Sequence, residues 1–353
     1  MEQFDLDNYK YFLGRTTVIY GETGTGKSTI TKHVLKTLSR HCDQIMVFSP
    51  SDPQNKTYSD GCVPTPLIHY NITVKVLEDL WARSEMMAAV YKQANNLSVL
   101  KQLFSRLSLP HVAESIRKTQ RYRDDTISRI RDQYVDPTTV EKKMAEVDEK
   151  YQEIMTLIYK RYISENAHIL QTPALTKDER FSLDYLGFNP NMVVIFDDCT
   201  AQLQTKEIKK SKVFHDFFYR NRWAYLSIII CAHNDKSLEQ DIRKNTFINI
   251  FTSKSSATGY FMNKTNCFDA ETIAASRDAI KNIQEPKLGH TRLAYLREEN
   301  KFCLVNATRF PEFTFGAQIV RQYCDKIRDV GSVSVDRSNR FYDSFFQQGE
   351  QKK

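Results

Sequence analysis

Short apolar runs alternate along the chain with longer stretches in which apolar residues return every three or four positions. Continuous, β-branched runs stand at "TTVIY" (16–20), "QIMVFSP" (44–50), "MVVIFDD" (192–198), "YLSIIICA" (225–232) and "FINIFTS" (247–253). Runs that are apolar at every position read as strands covered on both faces. Helical patterns separate most of them, so the order predicts a parallel sheet of α/β type. "PLIHYNI" (66–72) is a further candidate strand, and "RLAYLREENKFCLVNA" (292–307) reads as two strands around a polar turn, a hairpin on the sheet edge.

Residues 75–165 carry a different period. Val140, Met144, Val147, Tyr151, Ile154 and Ile158 step by four and three, and Ile116, Ile127, Ile130 and Tyr134 form a looser stripe before "DPTT" (136–139). This predicts a helical hairpin turning at Asp136 and Pro137, inserted between the second and third strands. It reads as a packing arm or as core helices with solvated charges, in preference to a coiled-coil dimer. Its first helix carries Arg117, Lys118, Arg121, Arg123, Arg129 and Arg131 against Glu114, Asp124, Asp125 and Asp132, a face suited to nucleic acid or to solvent. The expected division is 1–74 and 166–320 as two halves of one core, 75–165 as the helical insertion, and 321–353, with "SVSVDRSNR" and "QQGEQKK", as a loosely attached polar tail.

Composition narrows the class. The 353 residues are 41% hydrophobic and 12% aromatic, which suits one large α/β domain with an insertion or two smaller domains. Fifty Lys and Arg against 43 Asp and Glu give a net charge of +7, which admits a polyanionic partner without requiring one. Cys42, Cys62, Cys199, Cys231, Cys267, Cys303 and Cys324 are scattered, with no Cys-x-x-Cys pair and no histidine at zinc spacing. The expectation is a reducing compartment and no structural metal, with Cys199 and Cys231 as small core residues. "MEQFDLDNYKYF" is too polar for a signal peptide and no apolar run reaches membrane-span length, so a soluble intracellular protein is expected.

The chemistry begins at "GETGTGKST" (21–29), between the first strand and the helical "ITKHVLKTL". A glycine, four residues, a second glycine, lysine and a hydroxyl residue is the phosphate-loop spacing. Gly21, Glu22, Thr23, Gly24, Thr25 and Gly26 would wrap backbone N–H groups around phosphate oxygens, and the following helix adds its positive N-terminal dipole. Lys27 would reach the β and γ phosphates of ATP and the Ser28 hydroxyl would ligate Mg²⁺, with Thr29 the weaker alternative. "MVVIFDDC" ends a strand in two carboxylates: Asp197 fits the acid that holds Mg²⁺ through its water shell, and Asp198 one that takes a proton from attacking water. Adjacent residues on a strand point to opposite sides, so their roles should differ.

Four further stretches carry candidates. "SIIICAHND" ends in His233 and Asn234, either of which can sense a γ phosphate; Asn234 is preferred because an amide both donates and accepts. "KVFHDFFYRNRW" is a helix with a buried aromatic face and Arg220 and Arg222 near its end, where a guanidinium could reach a neighbouring subunit's nucleotide or simply complement the helix dipole. Arg243 in "LEQDIRKN" is a third arginine candidate, and "KEIKKSK" (206–212) concentrates basic residues that read either as the start of a solvated helix or, if the partner is DNA, as the element that faces it.

Taken together, "GETGTGKST", "VVIFDDC", "FFYRNRW", "SIIICAHND", "DIRKN" and "FPEFTFG" (310–316) resemble the genome-packaging ATPases of large cytoplasmic DNA viruses, the poxvirus-type branch of the FtsK/HerA superfamily. The resemblance implies a P-loop NTPase with a RecA/FtsK-like ASCE core, here carrying the inserted hairpin. It implies a homo-oligomeric ring that hydrolyses ATP with Mg²⁺ to drive double-stranded DNA into a capsid, with capsid, portal or membrane proteins of the virion as partners. The viral assembly site in the host cytoplasm, and the virion, would be its locations. By resemblance Lys27 and Ser28 bind nucleotide and magnesium, Asp197 organises magnesium, Asp198 is the catalytic acid and Arg222 is the arginine after the aromatic helix. Two positions depart from the family pattern: "AHN" stands where a glutamine usually ends the strand, and Trp223 follows the arginine where histidine is usual. A kinase acting on a nucleotide or nucleic-acid end, and a nucleotide-gated scaffold, are the alternative readings of the same loop.

Overall fold

The computed structural model describes residues 1–107, 109–170, 174–284, 290–308 and 313–330. The part of the expected tail from 331 to 353 and the opening of "FPEFTFG" (310–312) lie outside the described residues. Two compact units divide the chain: residues 1–88 with those from 189 onward, and residues 89–188.

The first unit is built on a sheet of β1 (Glu2–Gln3), β2 (Thr16–Tyr20), β3 (Gln44–Phe48), β4 (Ile68–His69), β5 (Met192–Asp197), β6 (Leu226–Ala232), β7 (Ile248–Phe251), β8 (Thr291–Leu296) and β9 (Lys301–Asn306). Their order is β1-β9-β8-β7-β2-β6-β5-β3-β4. From β7 to β4 every neighbour is parallel, while β8 joins β7 and β9 antiparallel. All residues of β2, β5, β6 and β7 are buried, which is why these strands are apolar without alternation. Phe48 and Phe196 stack at 5.2 Å across β3 and β5, part of the packing on the sheet. The expected hairpin is present but does not close the sheet, because Glu2 and Gln3 pair in parallel outside β9. The "PLIHYNI" strand shrinks to the two residues of β4.

The helices follow the same logic. α1 (Lys27–Leu38) buries Ile30, Val34, Leu35 and Leu38. α2 (Val74–Ala94) starts where the insertion was expected, yet Leu77 and Leu80 are fully buried and Trp81 packs 5.6 Å from Phe217, so its first part belongs to the sheet unit.

The second unit contains α3 (Leu97–Arg106), α4 (Pro110–Gln133), α5 (Pro137–Glu165) and α6 (Lys177–Asp184). α4 and α5 form the expected hairpin: Asp136 caps α5 by accepting from the Thr139 N–H at 2.9 Å, and Pro137 fills the first turn. The buried stripe of α5 differs from the sequence expectation in its second half. It runs through Met155, Tyr159 and Ile163 against Leu100, Leu103 and Leu107, leaving Ile154 45% exposed. The core formed with α3 draws the stripe into steps of four. Glu179 in α6 accepts both Arg106 Nε at 2.7 Å and Nη2 at 3.0 Å, so this unit continues past the expected boundary at 165.

α7 (Lys212–Tyr219) buries Val213, Phe214, Phe217 and Phe218 as its pattern predicted. α8 (Lys254–Met262) and α9 (Ala270–Ile280) separate β7 from β8. α10 (Gln318–Val330) runs through the boundary expected at 321, and its Cys324 is buried.

Candidate nucleotide site

The loop from β2 to α1 is closed by its own side chains. A Cβ on Gly21 would lie 1.8 Å from Thr252 Oγ1 and 2.7 Å from Thr25 Oγ1, so only glycine fits. Gly26, at φ +98°, turns the chain into α1 through the left-handed region. Thr25 donates its hydroxyl to the Glu22 carbonyl at 2.7 Å and touches Thr252 Oγ1 at 2.6 Å, while Ser255 donates to the Glu22 carboxylate at 2.7 Å. Lys27 is 9% exposed and its ammonium bridges the Gly21 and Glu22 carbonyls at 2.7 and 3.0 Å. Glu22, Thr23, Gly24 and Ser28 face solvent, and Thr29 is half-buried.

Arg292, which sequence patterning did not single out, supports the other side of the loop. It is 3% exposed and donates to the carbonyls of Thr25 at 3.2 Å and Gln284 at 2.6 Å. Burial pulls its pKa below the ordinary arginine value. With Gly24, Thr25, Gly26, Thr29 and Ile30 it lines a cavity of about 340 Å³ beside the loop. An arginine opening a hairpin strand carries no spacing signal that a motif reading could detect.

β6 separates β2 from β5, and the two motifs meet across it. Asp197 pairs in register with Cys231 on β6, and the Cys231 sulfur lies 3.2 Å from Thr31 Oγ1, whose hydroxyl donates to the Lys27 carbonyl at 3.1 Å. Asp197 is 5% exposed and accepts from the Tyr58 hydroxyl at 2.9 Å. Burial, then the Asp198 charge, raise its pKa; the Tyr58 and Cys231 hydrogen bonds and the charge of Lys27 oppose that rise. Asp198 leaves the strand at φ +53°, a left-handed turn that aspartate tolerates, and its side chain is 35% exposed. It accepts from Ser51 Oγ at 2.8 Å and stands 3.5 Å from His233 Nε2. The two acids therefore occupy different environments, one buried and one open.

At the end of β6 the two sensor candidates separate. The Asn234 side-chain oxygen caps the turn Asp235–Ser237, accepting the Ser237 N–H at 3.1 Å and hydroxyl at 3.0 Å. His233 is the one of the pair that faces Asp198.

The arginines are elsewhere. Arg220 and Arg222 precede β6 at the end of the sheet where β2 begins, and Arg222 borders Gly14. The phosphate loop follows the far end of β2, five strand residues or roughly 17 Å away. Both Arg220 and Arg222 are exposed, Arg220 lying 3.4 Å from Glu85 and 3.6 Å from Asp216. Arg243 is 5% exposed and bound to Asp235 at 3.1 Å and Thr265 at 2.9 Å, a structural pair. In "KEIKKSK", Ile208 is buried and Lys209 pairs with Glu239 at 3.4 Å, while Lys206, Lys210 and Lys212 are exposed.

A glycine cradle between a central parallel strand and a helix, with an acid pair one strand removed, defines a P-loop NTPase fold with the additional strand between its motif strands. No family model matches the chain. It is 32% identical over 355 residues to the "Uncharacterized protein B354L" of African swine fever virus from a Malawi tick isolate, covering 95% of this chain and 94% of that protein. The B354L protein of a Kenyan pig isolate is 31% identical over the same length. The chain belongs to the B354L family. Similar solved structures include the genome packaging NTPase B204 from Sulfolobus turreted icosahedral virus 2 with ATP-gammaS (TM-score 0.40, 12% identity, 85% of this chain, 98% of that one). Another is the plasmid coupling protein TrwB with the GTP analogue GDPNP (TM-score 0.37, 11% identity, 90% of this chain, 91% of that one).

Proposed function

We propose that this protein is an ATPase whose hydrolysis cycle moves double-stranded viral DNA into a capsid. The observation that carries the hydrolytic part is the convergence of Lys27 and Asp197 across β6, linked through Thr31 and Cys231. The cradle, the helix N-terminus and the hard oxygen donors fit a magnesium nucleoside triphosphate.

The residues then divide the work. Backbone N–H groups of 21–26 and the Lys27 ammonium bind and orient the phosphates, Lys27 exchanging its loop carbonyls for phosphate oxygens. Ser28 and Asp197 would hold magnesium, which when bound offsets charge on the β and γ phosphates. Asp198, open to solvent and anchored by Ser51, orients a water and takes its proton. His233 is the sensor, positioned to report a change at Asp198 to β6. Arg222 is too far along the sheet for its own loop, so in a homo-oligomeric ring it would act on a neighbour's nucleotide.

Coupling to DNA is supported by the motif set that resembles packaging ATPases, and by Lys206, Lys210 and Lys212 exposed after the acid strand. Such contacts address phosphates, not bases. The test is phosphate release from ATP with and without duplex DNA across a salt series. Stimulation that declines steeply with salt is expected. Hydrolysis indifferent to DNA would remove the translocase reading and leave the ATPase.

A further inference from the structure

The loop after β3 reaches both acids. Ser51 donates to Asp198 Oδ2 at 2.8 Å, and seven residues later Tyr58 donates to Asp197 Oδ2 at 2.9 Å. Asn55 Nδ2 donates to Ser51 Oγ at 3.1 Å, which fixes the serine oxygen as acceptor there and directs its proton to Asp198. Tyr58 is fully buried, and its own N–H is held by the buried Asp52 carboxylate at 2.7 Å. The far end of the loop is pinned as well: the Phe315 N–H donates to the Cys62 carbonyl at 2.8 Å and the Thr314 hydroxyl to the Gly61 carbonyl at 3.1 Å. Thr314 and Phe315, from the "FPEFTFG" stretch, thus hold the end of the loop that carries Ser51 and Tyr58.

A buried phenol that donates to a carboxylate does more than fill space. The charge-assisted bond stops the carboxylate from rotating and so sets the direction of its other oxygen. We propose that Tyr58 and Ser51 are positioning residues that separate the duties of the acid pair: Tyr58 orients Asp197 toward the cation, and Ser51 orients Asp198 toward the water. The inference rests on the ATPase reading and adds to it one rigid loop that aligns both carboxylates at once.

The test uses the full chain, a fluorescent ATP analogue and a Mg²⁺ titration. Nucleotide binding by the wild type that Lys27→Ala abolishes establishes the loop; if the wild type binds none, the ATPase reading falls and this inference with it. Given binding, Tyr58→Phe keeps the ring and is expected to raise the Mg²⁺ concentration for half-maximal binding about tenfold, with metal-free binding unchanged. Ser51→Ala, at a partly exposed position, is expected to leave that concentration unchanged and to lower the rate of phosphate release about tenfold, with Ser51→Thr restoring it. A Tyr58→Phe titration that overlays the wild type overturns the inference, as does a Tyr58→Phe chain that fails to fold. Parallel loss of Mg²⁺ binding and turnover in both variants overturns it too, because that is the signature of a loop with a structural role only.

Discussion

His233 Nε2 stands 3.5 Å from Asp198 Oδ1, while the adjacent Asn234 turns its amide oxygen back to cap the next turn. The two neighbouring polar residues thus make different contacts. Asn234→Ala is expected to cost about 1 kcal/mol in denaturant unfolding, the loss of a cap. His233→Ala is expected to keep stability and lower turnover about tenfold, a size typical of coupling between sites. Steady-state hydrolysis beside urea melts checks both.

Gly21→Ala forces a methyl to within 1.8 Å of Thr252 Oγ1. The loop must open, at about 1–3 kcal/mol. The expected outcome is a lower melting temperature, with the rise on adding ATP that is expected for the wild type lost in the variant. Differential scanning calorimetry with and without nucleotide measures both effects in one experiment.

In the helical unit, Glu179 is 2% exposed, accepts two Arg106 donors and completes a capping box with Thr176. Glu179→Ala should lower the urea midpoint of this unit, by less than loss of a fully buried pair would because Arg106 rehydrates. Hydrogen exchange should accelerate in α3 and α6 more than in β5.

Burial lowers the His69 pKa to about 4 from an ordinary 6.5. Between these values the unfolded chain takes up a proton that the fold refuses. Stability is therefore full above about pH 6.5 and declines toward pH 4, by up to about 3 kcal/mol. His69→Leu should flatten that part of the profile, measured as urea midpoints against pH.

Much of this was legible in the sequence because the signals are local. Continuous apolar runs gave the parallel strands, and the spacing from Gly21 to Ser28 gave the strand, loop and helix in their observed order. The Asp136–Pro137 turn carried its own cap chemistry. Long-range partners were not legible. Tyr58 lies 139 residues from Asp197 and Arg292 lies 267 from Thr25, and neither is marked by periodicity or spacing. The start of the helical unit is not legible in the sequence because α2 is one continuous helix whose early residues pack on the sheet. That the Asn234 oxygen caps the following turn was not legible either, because the partner Ser237 carries no spacing signal.

The central claim is that the phosphate loop and the acid pair form one hydrolytic site. The most direct measurement is ATP binding and phosphate release side by side for wild type, Lys27→Ala and Asp198→Asn. Lys27→Ala is expected to lose binding, and Asp198→Asn to bind as wild type while turnover falls by about 10² or more. Asp198→Asn hydrolysing ATP at the wild-type rate would contradict it.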